Sequence, residues 1–112
     1  MHIETNNHGD VLVVKLFESR LDSYVATDFR DAMDGFISQG NERIVLDLSK
    51  VEFVDSSGLG AIVTTQKRLG RARDLVICGP CETVMRLFKL ARLDKIFQIV
   101  TNEEEALDVL EV

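Results

Sequence analysis

One proline, two cysteines and two histidines are all that 112 residues hold of these three types. Each scarcity excludes something. Pro80, the single proline, leaves no proline-rich linker, and it leaves no second proline for a cis-proline loop. Two cysteines cannot complete a structural zinc site, and the histidines, His2 and His8, lie far from them in sequence, so no metal is expected. With both histidines at the amino end, no base stands ready to activate a serine in the middle of the chain. Apolar runs reach only a few residues, which is too short for a signal peptide or a membrane span, and the expected location is the cytoplasm. A formal charge of −6 disfavours nucleic acid as a main partner.

The charge is uneven. Residues 67–95 carry eight Lys and Arg against three acids, a net +5, so the rest of the chain is at −11. A basic surface on an acidic body is one reading; the plainer one is that Lys67, Arg68 and Arg71 complement a helix carboxyl end. The 46% hydrophobic content suits a single compact domain, taken as residues 1–112.

The apolar pattern alternates between strand and helix. Val11 to Leu16 is rich in β-formers and follows a turn signal, His8-Gly9-Asp10, and a short alternating stretch from His2 to Thr5, which suggests an N-terminal hairpin. From Ser23, a candidate cap, Val25, Phe29, Ala32, Met33, Phe36 and Ile37 recur at helical spacing, with Gly40 just past the end. Ile44 to Leu48 and Leu75 to Cys78 are nearly continuous apolar runs, as in strands covered on both faces. Between them a helix is expected from about Ser57 to Gly70, its inner side formed by Leu59, Ile62, Val63, Gln66 and Leu69. Pro80 suits the first turn of a further helix, with Val84, Leu87, Phe88 and Ala91 inward. Ile96 to Val100 predicts a last strand, and Thr101 with Glu104 a capping box opening a C-terminal helix. The sum is an α/β domain: a mixed sheet with an N-terminal hairpin, βαβ units and helices packed on the sheet.

The most informative stretch is Asp55-Ser56-Ser57-Gly58-Leu59, where the apolar Val51 to Val54 run gives way to a helical pattern. A hydroxyl here sits over the unpaired N–H groups and positive dipole end of a helix, a natural seat for an anion such as a phosphoryl group on Ser56. Asp and Ser are also ordinary helix caps, and the residue types alone fit that role too.

Three other motifs invite chemistry. Cys78-Gly79-Pro80-Cys81 has the letters of a thioredoxin redox centre between a strand and a helix, which would make Cys78 and Cys81 a dithiol. Its context argues otherwise: Ile77 precedes it where a tryptophan is usual, and only 31 residues follow Cys81. Gly58-Leu59-Gly60 matches half of a dinucleotide fingerprint, but Val63 occupies the third glycine position. Val54-Asp55-Ser56-Ser57-Gly58 lacks the first glycine of a serine-hydrolase elbow.

Ile44 to Leu48, followed by Val51-Glu52-Phe53-Val54-Asp55-Ser56-Ser57-Gly58-Leu59-Gly60, resembles the signature of STAS domains, specifically bacterial anti-sigma factor antagonists. Val84 to Phe88 and Leu93 to Phe97 are similar to the family's third helix and last strand. The resemblance implies a partner-switching protein that is not an enzyme and uses no cofactor. It would bind a serine kinase that doubles as anti-sigma factor, a GHKL-type ATPase, and release it once phosphorylated. A PP2C-type phosphatase would reverse the mark. The implied phosphoacceptor is Ser56, with Ser57 as the alternative, and the implied contact surface is Asp22, Ser23, Asp55, Ser57, Gly58 and Leu59. An output other than a sigma factor, such as secretion, biofilm formation or a signalling enzyme, is the alternative use of the same serine. Two positions depart from the family pattern: Arg20 stands where Glu is usual, and Arg92 where glycine is common.

Overall fold

The computed structural model describes residues 1–70 and 74–111. Its elements in chain order are β1 (Ile3–His8), β2 (Val11–Leu16), β3 (Arg20–Leu21), α1 (Ala26–Ser38), β4 (Arg43–Asp47), β5 (Phe53–Val54), α2 (Ser56–Leu69), β6 (Leu75–Cys78), α3 (Glu82–Leu90), a 3-10 turn (Leu93–Lys95), β7 (Gln98–Val100) and α4 (Glu103–Val109). Five strands form one sheet in the order β1-β2-β4-β6-β7, with β1 antiparallel to β2 and every other pair parallel. The sheet is mixed, as expected, and the hairpin closes at Gly9, whose φ is +61°.

Side-chain size divides the two faces of the sheet. Period-two alternation sends Leu12, Val14, Leu16, Ile44, Leu46, Leu75 and Ile77 to one side, where they pack with Phe29 and Met33 of α1, Ile62 of α2 and Val84 and Phe88 of α3. The smaller Val11, Val13, Val45, Val76 and Cys78 face the other way and meet only α4, through Ala106 and Leu110. Three helices therefore cover one face and one short helix the other. Phe29, Ile62 and Phe88 are fully buried, and truncating either Phe to Ala costs about 3–5 kcal/mol. Edge strand β1 is exposed and polar through Glu4, Thr5, Asn6 and Asn7, which discourages pairing with another chain.

Boundaries shift from expectation where caps compete. The cap of α1 is Val25, without a side-chain bond; Ser23 does not serve, because the Asp22 carbonyl already takes the N–H groups of Val25 and Ala26. At its other end Gly40, φ +100°, follows the helix as its spacing suggested. Helix α2 buries Gly58, Ala61, Ile62 and Thr65, a face turned about one residue from the expected one, so Leu59, Val63 and Leu69 pack at its margin and Gln66 is not core. Pro80 lies outside α3, whose cap is Cys81. The last strand starts only at Gln98, since the 3-10 turn occupies the residues before it. The cap of α4 is Asn102, accepting from Glu105 N–H at 2.8 Å, which displaces the Thr101 and Glu104 pairing by one residue.

Arg71 and Arg73 of the basic segment lie outside the described residues. Lys67 and Arg68 occupy the last turn of α2, where they suit the helix dipole, and Arg68 also faces Asp34 at 3.8 Å.

Candidate functional site

The chain following each parallel strand runs back as a helix, so the amino ends of α1, α2, α3 and α4 gather at the pole where those strands end. Residues 55–57 sit on that pole. Asp55 is extended, with φ −103° and ψ −175°, and caps α2 by accepting the Gly58 N–H at 3.0 Å through Oδ1. Its other oxygen, Oδ2, accepts the Ser23 N–H at 3.2 Å, and its own N–H donates to the Leu21 carbonyl at 3.3 Å. One aspartate thus ties the start of α2 to the loop before α1. Ser56 and Ser57 are the first two helical residues, both exposed, with their N–H groups in the open first turn.

A two-residue strand pair places this cap. Arg20 and Leu21 of β3 align with Phe53 and Val54 of β5, parallel and separate from the main sheet. Sequence pattern does not reveal strands this short. Gly58 is buried against the pair: a Cβ there would stand 2.1 Å from the Leu21 carbonyl oxygen and 2.9 Å from Val54 Cγ1. The close approach that Gly58 permits is therefore to its own chain, so this member of the implied contact surface is buried.

Asp22 organises the neighbouring loop. Its Oδ1 accepts the Tyr24 N–H at 3.0 Å and its Oδ2 accepts from Arg20 Nε at 3.1 Å, while its side chain is only 13% exposed. The Arg20 guanidinium lies 4.3 Å above the Phe53 ring, and Tyr24 stands out at 90% exposure. Ser23 is exposed and Leu59 half-buried against the core. Asp22, Ser23, Asp55, Ser57, Gly58 and Leu59 are thus brought around Ser56, three of them more as supports than as surface. Arg20 stands out in the sequence only as a departure from the family pattern, close to the implied kinase contact; Tyr24 does not stand out, and no periodicity marks it.

Ser56 lines neither of two hollows among the described residues. One, about 830 Å³, lies among the carboxyl ends of α1, α2 and α4, lined by Gly40, Leu69 and Leu110; the other, about 320 Å³, is lined by Gly79, Pro80, Thr101 and Glu105. A protruding hydroxyl on a fixed helix end fits a macromolecular surface.

The STAS domain family model matches residues 2–106. The chain belongs to the STAS domain family. Within it, the chain is 37% identical to an anti-sigma F factor antagonist of Paenibacillus polymyxa, over all of this chain and 97% of that one. The crystal structure of an anti-sigma factor antagonist from Mycobacterium paratuberculosis superposes with a TM-score of 0.89 at 25% identity, covering 99% of this chain and 94% of the other. The Bacillus cell fate determinant SpoIIAA, solved in its phosphorylated form, shares the fold with a TM-score of 0.71 at 24% identity, over 97% and 99% of the two chains. As a STAS protein of the anti-sigma factor antagonist family the chain is a non-catalytic regulatory module.

The STAS fold assigns the cysteine motif a structural place. Cys78 ends β6 with no exposed surface, and burial, followed by the nearby Asp47 and Glu103 charges, pushes its thiol up to about 12, only partly offset by Lys15. A thiol so buried and so weakly acidic is a poor nucleophile at neutral pH, which argues against the dithiol reading. Gly79 turns the chain at φ +71°, and Cys81, half-exposed, points its thiol at the Val51 carbonyl, 3.6 Å away.

Beneath α4 lies a pair of carboxyls that the sequence did not announce. Asp47, only 4% exposed, ends β4 beside Lys15 on β2 and Cys78 on β6, and shares a hydrogen bond with Glu103 in the first turn of α4. Burial pushes Asp47 up, but the bonds from Glu103 and from the Ser49 N–H at 2.8 Å, with the Lys15 charge, outweigh it and hold the group below the usual carboxylate value. Glu103 is raised to about 7, by its bond to Asp47 first, then by burial and the Asp47 charge. One proton is shared between them. A lone acid inside an apolar strand run, Asp47 after Ile44-Val45-Leu46, was the available signal. Among the described residues no group of three or more His, Cys, Asp or Glu is placed to hold a metal ion, and no helix is long and apolar enough to cross a membrane.

Proposed function

We propose that this protein is a cytoplasmic anti-sigma factor antagonist that binds a serine kinase acting as anti-sigma factor while Ser56 carries a free hydroxyl, and lets go when Ser56 is phosphorylated. The observation that carries the reading is the exposed Ser56 hydroxyl on the first turn of α2, held on a pole fixed by the two bonds of Asp55. Ser57, one residue on and also exposed, is the alternative acceptor. The relative from Paenibacillus polymyxa bears the matching name, and the phosphorylated SpoIIAA shows that a protein of this fold carries phosphate. The kinase would be a GHKL-type ATPase and the reversing enzyme a PP2C-type phosphatase.

Two energies compete when phosphate arrives. It adds about −1.5 to −2 charges and three acceptor oxygens. The dipole of α2 favours an anion at its exposed amino end by about 0.3–1 kcal/mol, so the fold tolerates the group. Binding responds differently. A partner surface fitted to a neutral hydroxyl would have to enclose a dianion beside the Asp55 carboxylate, at a cost of several kcal/mol, and each ~1.4 kcal/mol is tenfold in affinity. Ser23, Ser57 and the exposed part of Leu59 supply the contact surface; Asp22, Asp55 and Gly58 hold it in shape.

The experiment is incubation with candidate serine kinases and ATP, followed by mass spectrometry to locate the phosphate. Calorimetric titration of Ser56→Ala and Ser56→Glu against the kinase so found completes it. Phosphate at Ser56, tight binding of Ser56→Ala and binding by Ser56→Glu weakened about 100-fold or more are expected. Phosphate absent from residues 56 and 57, or equal affinity of the two variants, overturns the switch.

A further inference from the structure

We infer that Arg20 and Tyr24 are the residues by which this protein selects its kinase, and that Asp22 acts through them as a positioning residue. The inference rests on the reading that a kinase docks at Ser56 and adds to it the side chains that make the docking selective.

Tyr24 is the most exposed large apolar side chain among the described residues, at 90%. An aromatic ring held out in water is costly unless something covers it, and aromatic anchors of this kind dominate many protein interfaces. Its backbone is already fixed. The Tyr24 N–H is taken by Asp22 Oδ1, the Ser23 N–H by Asp55 Oδ2, and the Val25 and Ala26 N–H groups by the Asp22 carbonyl. A partner would have only the two side-chain torsions of the ring to order, which removes much of the entropic cost of gripping a loop.

Arg20 is held as firmly and is exposed at 59%. Its guanidinium lies over Phe53 and Nε is engaged by Asp22, while among the described residues its two terminal nitrogens make no hydrogen bond, which leaves their donors to a partner. Asp22 itself, 13% exposed with one oxygen on each neighbour, has little to offer a partner directly. Since Ser23 is bonded to the residue that precedes Ser56, a kinase closing over the Ser56 hydroxyl must cover this loop as well. The matching kinase surface is an apolar pocket for the Tyr24 ring with a carboxylate beside it for Arg20. Neither contact depends on phosphate. Ser56 decides when the complex forms, while Arg20 and Tyr24 decide with which kinase.

The test is steady-state phosphorylation by the kinase that modifies Ser56, with thermal melts confirming that each variant is folded. Tyr24→Ala and Arg20→Glu are expected each to raise KM for this protein about tenfold or more with kcat changed less than about twofold, the behaviour of lost binding that is equal in ground and transition states. Asp22→Asn should raise KM similarly on the parent chain but add little on an Arg20→Glu/Tyr24→Ala background, the non-additivity expected of a residue acting through two others. If Tyr24→Ala and Arg20→Glu both keep KM within about twofold of the parent, selection lies elsewhere on the surface and the inference falls, with the Ser56 switch untouched. Failure of the kinase to phosphorylate the parent chain at residue 56 or 57 removes the docking reading, and this one with it.

Discussion

Replacing Glu103 by Gln should make the protein more stable at pH 8 and leave it nearly unchanged at pH 4. The sign follows from where the shared proton resides. Glu103 has a value of about 7 in the folded protein against 4.5 in an unfolded chain, so between those limits the folded state holds a proton that the unfolded state has released. Stability linked to Glu103 is therefore fully present below about pH 4.5 and is lost as the pH rises through about 7. Asp47 runs the opposite way: lowered from 3.8, it contributes stability above that value and loses it in stronger acid. At about 1.36 kcal/mol per unit the full Glu103 shift corresponds to about 3 kcal/mol. Glu103 is partly open to solvent, which screens it, and a realistic contribution is about 1 kcal/mol. A glutamine keeps a neutral donor toward Asp47 at every pH and removes the second charge. Urea melts of both proteins at pH 4, 5, 6, 7 and 8 measure the effect, because the remaining acids cancel in the difference. The expected difference grows by about 1 kcal/mol between pH 4 and pH 8, about 4 °C in Tm for a domain of this size. A Glu103→Gln protein that is less stable than the parent at pH 8, or whose difference does not change with pH, refutes the shared proton.

Three further outcomes follow from backbone and burial. Gly58→Ala forces a methyl group onto the Leu21 carbonyl and should cost about 3 kcal/mol in a denaturant melt, whereas Gly60→Ala, with open space around it, should gain about 0.5–1 kcal/mol. Arg92→Gly relieves a left-handed residue, φ 60° and ψ 22°, and should stabilise by about 0.5–1 kcal/mol in the same assay. Iodoacetamide at pH 8, followed by peptide mass mapping, should label Cys81 in the native protein and Cys78 only after unfolding, since Cys78 has no exposed surface and a value near 12.

The core was legible because long-range order in it is periodic. Ile44 to Leu46 and Leu75 to Cys78 announce buried strands by continuity, and Phe29 with Met33 announces a helix face. What stayed hidden depends on pairings between distant residues or on competition between adjacent ones. The β3 and β5 pair has two residues a side, too few to show alternation, yet it places the cap of α2. Asp22 and Ser23 are both good caps, and the choice went to backbone geometry that sequence does not display. The same ambiguity moved the α4 cap from Thr101 to Asn102. Asp47 and Glu103 are 56 residues apart, and nothing local links them. Around Ser56 the motif located the helix start within one residue, while the roles of Asp22 and Gly58 as supports needed coordinates. Arg92 is instructive in the other direction: its departure from a common glycine falls on a backbone angle that glycine would adopt without strain.

On the proposed function, the arrangement of the pole also determines where a phosphate signal would be read. Asp55 spends one oxygen on its own helix and the other on the Ser23 N–H, so the two segments that meet at Ser56 are joined by bonds that the serine hydroxyl does not make. Core packing lies behind Gly58 and Leu21, out of reach of a group added to an exposed first-turn residue. A phosphoryl group there gains about 0.3–1 kcal/mol from the helix dipole and meets repulsion of similar size from Asp55 across solvent, so the isolated domain is left close to where it began. The same charge enclosed at an interface is desolvated, and its cost rises to several kcal/mol. A module of this design has little reason to change shape when modified. Under the proposed switch, its rigidity would keep the modification from being absorbed by the fold and would leave the partner as the element that responds.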